Sequence, residues 1–535
     1  MFTYSPLRRE NSEIRLVRFV EPPDGSTKLH LQLCHASMND SAFNALSYLW
    51  GDWTQTIDVV LNGQPFPIGS NLHDALKQLH ENGFRSWIWI DSICIHQSDL
   101  DEKSWQVQEM RTIFSQAECV YMWLGRGTDD TDKAVDFISL IGFQLVFLGA
   151  IEALHSEEDS NSIRAYFTSR WSGEEYGSDQ DPKVIGLARF MYDLMFHPAL
   201  EDKRTIEGKV INEENPWYGL RDLARRGNWR RIWIIQEVTL ARTGVVLCGT
   251  RSMALDSFHM TLMALQRCLR YDPRPTTFFN GHHIAGFHTT WGSLLPLVAR
   301  SSQRHYKNAS TTLASILYRN SIPGGNHEAS DPRDLVFGLL GIIDDADQLG
   351  LCADYTLSMA HVFTTVTKAF LASADEAALF NGYQLRSCIS HNIGVDGLPS
   401  WVPDWRKVGK NGIVFCDDLT PDQLQWINSG PPDSRDLQTP QEQLTVLKEM
   451  WSPRTLSFLQ LSPLFKTAKD MLGSSRTVHI QRGDVVTILR GSQVPMVLRP
   501  RDEGGYTLIT DVYIDGIMDG EFLETAPTYQ VFDIH

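Results

Sequence analysis

The stretch "SWIWIDSICIHQ" spans residues 86–97. Ile88, Trp89 and Ile90 form an apolar run that stops at Asp91, and a strand apolar on both faces belongs inside a parallel sheet covered by helices. The same rhythm recurs on either side, in "ALSYLWG" (45–51) and "CVYMWLG" (119–125). Between these runs the apolar spacing becomes helical. Leu72, Ala75, Leu76 and Leu79 share one face of a helix over 71–82. Val107, Met110, Phe114 and Ala117 share one face of a second, over 99–117, with Ser98 as its cap and Asp99, Asp101 and Glu102 in its first turn. Strand and helix alternating over short connections predict an α/β fold, a parallel sheet flanked by helices. Leu46, Ile88, Ile90, Val120 and Met122 are expected in that one sheet, with Trp50 and Asp91 near one edge.

Outward from this core the patterns change. Residues 14–20 and 28–34 alternate around "PPDG", and "IDVVLNGQPFPI" places Asn62-Gly63 between apolar runs, so β-hairpins are added near the amino terminus. An acidic, Gly/Ser-containing stretch near 152–189 reads as an insertion or loop. A helical pattern resumes over 217–241. Residues 1–250 therefore form the first domain. Residues 251–400 look mainly helical, with a helix start at "SDPRDLVFGLLGI", where Asp331 caps and Pro332 fills the first turn. Residues 401–535 form a mixed region ending in a small β unit.

Charge and cysteine usage narrow the classes of function. The 48 Lys and Arg against 65 Asp and Glu give a net charge of −17, which repels nucleic acid and anionic lipid. Eight cysteines lie scattered without a CxxC pair, as in a reduced, cytoplasmic protein. The amino terminus lacks the apolar core of a signal peptide. The apolar run Phe137 to Ile151, free of charged residues, is too short for a membrane span and reads as a buried helix or, as the alternative, a membrane-surface element. Metal and serine-hydrolase motifs are missing, so no metal and no bound cofactor are expected. Cys94 and His96, two apart on a strand, are too far separated for a nucleophile and its base. In "GRGTDD" (125–130) the aspartates oppose a phosphate.

One residue is out of place. In "RRIWIIQEVTLAR" (230–242) Glu237 follows an apolar tetrad and Gln236, and a carboxylate in such surroundings must be paired, protonated or given a task. It either performs chemistry, or ties its helix to the sheet by pairing with an arginine such as Arg242, or lies at the surface. In an open parallel sheet ligands gather beyond the carboxyl ends of the strands. There Gly51 permits close backbone approach, Trp50 offers a stacking face, and Asp52 offers acceptors for ribose hydroxyls; a strand-exit turn is the plainer reading of the same residues. Asp91 either joins such a site or fixes neighbouring loops. Arg230 and Arg231, two helical turns from Glu237 or about 10 Å along the axis, form either a diphosphate clamp or a solvated face.

"ALSYLWGD", "WIWIDSICIHQ" with "VYMWLG", and "RRIWIIQEVTLAR" resemble, in this order, the three blocks of the fungal heterokaryon-incompatibility (HET) domain. "DPRDLVFGLLG", "LPSWVPDWR", "GDVVTILRG" and "GIMDGEF" resemble segments that follow it in larger members. The family usually has Asn or Asp where this sequence has His96. The resemblance implies a TIR/flavodoxin-like fold and a part in programmed death of fused fungal cells after non-self recognition, with an unidentified recognition partner and self-association. It also implies NAD as a substrate, since some TIR domains cleave NAD with a glutamate in a block like "WIIQEVTLA". Glu237 would then be catalytic, with Trp50, Gly51, Asp52, Asp91, Arg230, Arg231, Trp233 and Gln236 around the substrate. Nicotinamide leaves as a neutral base, so one carboxylate that stabilises the oxocarbenium ion suffices. The other class left open is a non-enzymatic module that oligomerises and recruits a cell-death partner.

Overall fold

The computed structural model of the chain describes residues 2–197 (save 23–24, 26, 52–53, 175 and 177–180), 216–271, 312–313, 316–317, 327–372 (save 348), 397–399, 402, 404–406, 464–467, 472–475, 480–488, 495–514 and 530–534. Residues 1–313 and 324–356 form one compact unit, and residues 314–323 and 357–535 another.

The first unit opens with strands β1 (Glu13–Phe19), β2 (His30–Ser37), β3 (Asn44–Tyr48), β4 (Thr56–Leu61) and β5 (Gln64–Gly69). Then come α1 (Ser70–Glu81), β6 (Ile88–Trp89), α2 (Asp91–Cys94), α3 (Leu100–Gln116), β7 (Val120–Trp123) and α4 (Asp129–Phe147). They are followed by α5 (Ala150–Ala153), α6 (Glu157–Ser172), α7 (Pro182–Leu194), α8 (Trp217–Arg225) and α9 (Trp233–Leu240). β8 (Gly244–Cys248), β9 (Arg251–Ala254), α10 (Leu255–Tyr271) and the single turn α11 (Asp334–Phe337) complete the described strands and α-helices of the unit.

The strands form one sheet in the order β5-β4-β2-β1-β6-β3-β7-β8-β9. Its centre, β6-β3-β7-β8, is parallel, as the apolar runs require. The sheet as a whole is mixed, because β1 runs antiparallel to β2 and β6, and β9 antiparallel to β8. Asn62 and Gly63 take positive φ in the tight β4–β5 hairpin, the backbone that this dipeptide favours. Leu46, Ile88, Ile90, Val120 and Met122 are all buried, and all but Ile90 lie in these parallel strands; Ile90 follows directly on β6.

Three local expectations are corrected. Residues 91–94 leave the sheet as a helical turn, since the Ile90 carbonyl accepts from Ile93 and Cys94 N–H and the Asp91 carboxylate accepts from Ser92 N–H; Cys94 and His96 therefore do not share a strand. The cap of α3 is Asp99, whose side chain accepts from Asp101 and Glu102 N–H. The acidic stretch near 152–189 is largely helical, because α6 buries Ile163, Tyr166 and Phe167 and α7 buries Val184, Leu187, Ala188 and Met191; only their outer faces are polar.

The second unit contains a helix, α12 (Met359–Ala372), and a five-stranded antiparallel sheet between residues 464 and 514. Val497, Ile509, Val512 and Ile514 form the apolar core of that sheet. "LPSWVPDWR" is described only in part, and "GIMDGEF" and most of 251–400 beyond α10 lie outside the described residues.

A buried ion pair fastens the hairpin to the helical layer. The guanidinium of Arg15, on β1, donates to both oxygens of Glu102 on α3 at 2.6 and 2.9 Å, and to the Cys94 carbonyl at 2.9 Å. His96 N–H also donates to Glu102. Burial pushes the Glu102 carboxyl up, but these donors outweigh it and hold the group below its ordinary range. Glu102→Gln strands the buried Arg15 cation and should cost about 3–5 kcal/mol. Asp101→Asn, which breaks the exposed pair with Arg9, should cost at most about 0.5 kcal/mol. Urea unfolding of the two variants beside the wild type checks the contrast.

Candidate functional site

The carboxyl ends of β3, β6 and β7 lie side by side, and the chain from Arg226 to Glu237 crosses them. The Arg226 guanidinium donates to the Leu124 and Arg126 carbonyls beyond β7. Asn228 Nδ2 lies 3.4 Å from Ser47 Oγ on β3. Trp229 is fully buried, stacked on Phe258 at 5.4 Å, with its indole N–H donated to the Leu223 carbonyl. After a short 3-10 turn (Gly227–Arg230) the backbone extends at Arg231, and helix starts again at Trp233.

That extended residue decides the geometry. Arg231 and Glu237 are not stacked two turns apart on one helix. The break lets the guanidinium turn back, so that Nη1 donates to Glu237 Oε2 at 3.2 Å while Nη2 lies 3.8 Å from Asp91 Oδ2. Arg231, rather than Arg242, is thus the arginine at Glu237. Ser47 Oγ donates to the same Glu237 oxygen at 2.5 Å. Asp91 Oδ2 accepts from the Trp50 indole N–H at 2.7 Å, and the Asp91 carbonyl accepts from Gln97. Tyr48 donates to Ser92 Oγ at 2.6 Å.

Two carboxylates therefore share one guanidinium. Burial pushes both carboxyls above their ordinary range, Arg231 pulls each back down, and the Asp91 charge raises Glu237 further. Side-chain exposure falls from 14% at Asp91 and 12% at Arg231 to 2% at Glu237, so the cluster meets solvent on the Asp91 side. Counted with both carboxyls ionised, the cluster of one guanidinium and two carboxylates carries one negative charge in excess.

The other expected site residues divide. Gly51 follows Trp50 beyond β3 with φ of 71°, and its nearest neighbours are Asn71 and Leu49. Asp52 lies outside the described residues. Arg230 points away and pairs with Glu328 at the surface. Trp233 donates its indole N–H to Asp334 Oδ2 at 3.2 Å, and Gln236 is buried against Gly341, where an added Cβ would sit 2.1 Å from its amide nitrogen. Both face the downstream segment rather than Asp91. Asp331 does not cap α11; its carboxylate accepts from the Arg333 backbone and guanidinium.

Ser47 and Asn228 were not singled out from sequence. Ser47 is a small hydroxyl residue inside the run Ala45, Leu46, Tyr48 of a strand buried along its whole length, which is a usable signal; Asn228 left none. His96, Asp99 and Glu102 bring three ligand-type atoms within 4.8 Å of one another, yet Asp99 caps α3 and Glu102 accepts from Arg15, so the group serves as a clasp. No helix among the described residues is long and apolar enough to cross a membrane.

Comparison with known proteins gives two family-model matches and one relative. Residues 43–237 match the family model "Heterokaryon incompatibility protein (HET)", and residues 432–534 match "Het-6 beta-barrel domain". The chain is 28% identical over 399 residues to "Heterokaryon incompatibility protein 6, OR allele" of Neurospora crassa, an alignment covering 68% of this chain and 53% of that protein. It thus spans about half the length of the curated relative it matches. No solved structure matches the chain.

The charge count gives an asymmetric pair of variants. Glu237→Gln leaves Arg231 opposite Asp91 as a balanced pair and should change stability by no more than about 1 kcal/mol. Arg231→Met leaves two buried carboxylates facing each other and should cost about 3–5 kcal/mol near pH 8. A carboxyl whose folded pKa is raised stabilises the fold while protonated; that contribution is complete below the unfolded pKa and is lost as pH rises through the folded one. The Arg231→Met deficit should therefore shrink as pH falls towards about 5, as read by thermal unfolding of both variants at several pH values.

Proposed function

We propose that this HET-domain protein acts in fungal non-self recognition and the programmed cell death that follows it, and that its domain does so as a TIR-like enzyme cleaving the nicotinamide–ribose bond of NAD. The observation that carries the catalytic part is the excess negative charge of the Asp91–Arg231–Glu237 cluster at the carboxyl ends of the parallel strands. NAD arrives with a cationic pyridinium. When the bond from C1′ to the ring nitrogen breaks, its electron pair leaves with neutral nicotinamide and the positive charge moves to the ribose. A carboxylate already held by Ser47 and Arg231 stabilises that charge without reorganising. Water then adds to C1′ and releases a proton, giving ADP-ribose.

Trp50, fixed through its indole N–H to Asp91, offers a ring for stacking at the more open end. Arg231 takes part as the counter-charge that offsets, in part, the effect of burial on the Glu237 carboxyl. Arg230, paired with Glu328 at the surface, is left out of this reading. A second reading, a non-enzymatic module that oligomerises and recruits a cell-death partner, is favoured by the apolar residues that α4 leaves exposed.

Incubating the purified chain with NAD and measuring nicotinamide separates the readings. The wild type should release nicotinamide, and Glu237→Gln should lose at least about 100-fold in rate at an unchanged melting temperature. Equal rates in both proteins, or a folded wild type that releases none, would end the catalytic reading.

A further inference from the structure

The run from Phe137 to Ile151, expected to be a buried helix, is buried on one side only. α4 presses Ala134, Val135, Ile138, Ile141, Gly142 and Leu145 into the unit. The approach to α10 is close enough that a Cβ on Gly142 would meet the Ser257 carbonyl at 2.4 Å. On the opposite face Leu140, Phe143 and Phe147 are 58, 67 and 82% exposed. Their spacing of three and four places them on one stripe. Beside the stripe, Phe143, Gln144, Phe147 and Leu148 line a shallow groove of about 290 Å³ with Phe190 of α7. Single exposed apolar residues are ordinary, but three large ones in a stripe leave about 400 Å² of apolar surface, a size that marks an interaction site.

We propose that this α4 stripe is a self-association surface that packs against the same stripe of a second copy. This deepens the second functional reading by naming its surface, and it stands or falls independently of NAD cleavage. Two features commit the occupant. No charged residue lies between Phe137 and Ile151, in a chain whose net charge is −17. Two copies repel each other elsewhere and can approach closely where charge is missing, whereas an anionic bilayer is repelled by the whole. The area also fits. Two stripes face to face, with Val146, Leu148 and Phe190 at the rim, bury about 1,000–1,200 Å² in total, the lower bound for a specific interface. A ridge and a groove built from the same residues complement each other about a two-fold axis, so Phe147 of each copy can enter the groove of the other. The dimer is therefore weak and dependent on concentration.

The test is the mass of the full-length protein by light scattering and sedimentation, over roughly 1–100 μM, the range in which such an interface titrates. The wild type should pass from monomer to dimer. Phe143→Asp and Phe147→Asp should each raise the dissociation constant at least tenfold at an unchanged melting temperature, and Glu158→Lys, an exposed change on α6, should leave it alone. Phe147→Cys, which retains the fold, should oxidise to a disulfide-linked dimer at concentrations where the wild type associates. A wild type that stays monomeric throughout overturns the proposal. So does a dimer that both aspartate variants leave intact, or a stripe that binds only a different protein.

Discussion

The Arg231 guanidinium is the contact on which the first unit depends. Glu237 is sunk in an apolar helix, where an ionised carboxylate without a counter-charge is prohibitively costly. The counter-charge comes from only six residues earlier, and straight helix cannot bring it there. The chain breaks at Arg231 to do so, and the break fixes what surrounds it. Asn228 comes to Ser47, Trp229 enters the core against Phe258, and Arg226 reaches the carbonyls beyond β7. One ion pair thereby holds the ends of three strands in register with a segment more than a hundred residues away in the chain.

A second set of contacts closes the same unit from downstream. The segment around 327–356 lies on α3 and α9: Trp233 and Tyr355 both donate to Asp334, Gln108 donates to the Ala353 carbonyl, and Lys103 and Arg333 sit over the Tyr355 ring. Burial raises the Asp334 carboxyl and the Tyr355 hydroxyl together, as expected for a polar cluster that exchanges water for internal partners. Because Trp233 and Gln236 sit on the helix that carries Glu237, any movement of this segment is felt at the cluster. The matched family segment ends at residue 237, but the packing unit that supports it does not.

The interior charge and the exterior charge act in opposite senses. Inside, Asp91 and Glu237 share the one guanidinium of Arg231 at the ends of the parallel strands. Outside, the net charge of −17 repels like chains, and the uncharged run of α4 is the surface on which the proposed self-association rests. In the proposed function the first serves catalysis and the second assembly.

The sequence by itself determined the elements. Apolar runs at 45–48, 88–90 and 120–123 could only be interior strands, Asn62-Gly63 could only be a tight turn, and the intervening helical spacing fixed α1 and α3 to within a residue or two. These signals are local, set by periodicity and backbone preference. It also singled out Glu237, Asp91, Arg231 and Trp50, because charge beside apolar runs is visible in one dimension. Only the tertiary structure decided how they pair. Arg231 rather than Arg242 meets Glu237, Arg230 turns to the surface, Ser47 and Asn228 join, and half of an uncharged helix stays in water. Each of those outcomes depends on a backbone turn or on a neighbour distant in the chain, and spacing along a sequence encodes neither.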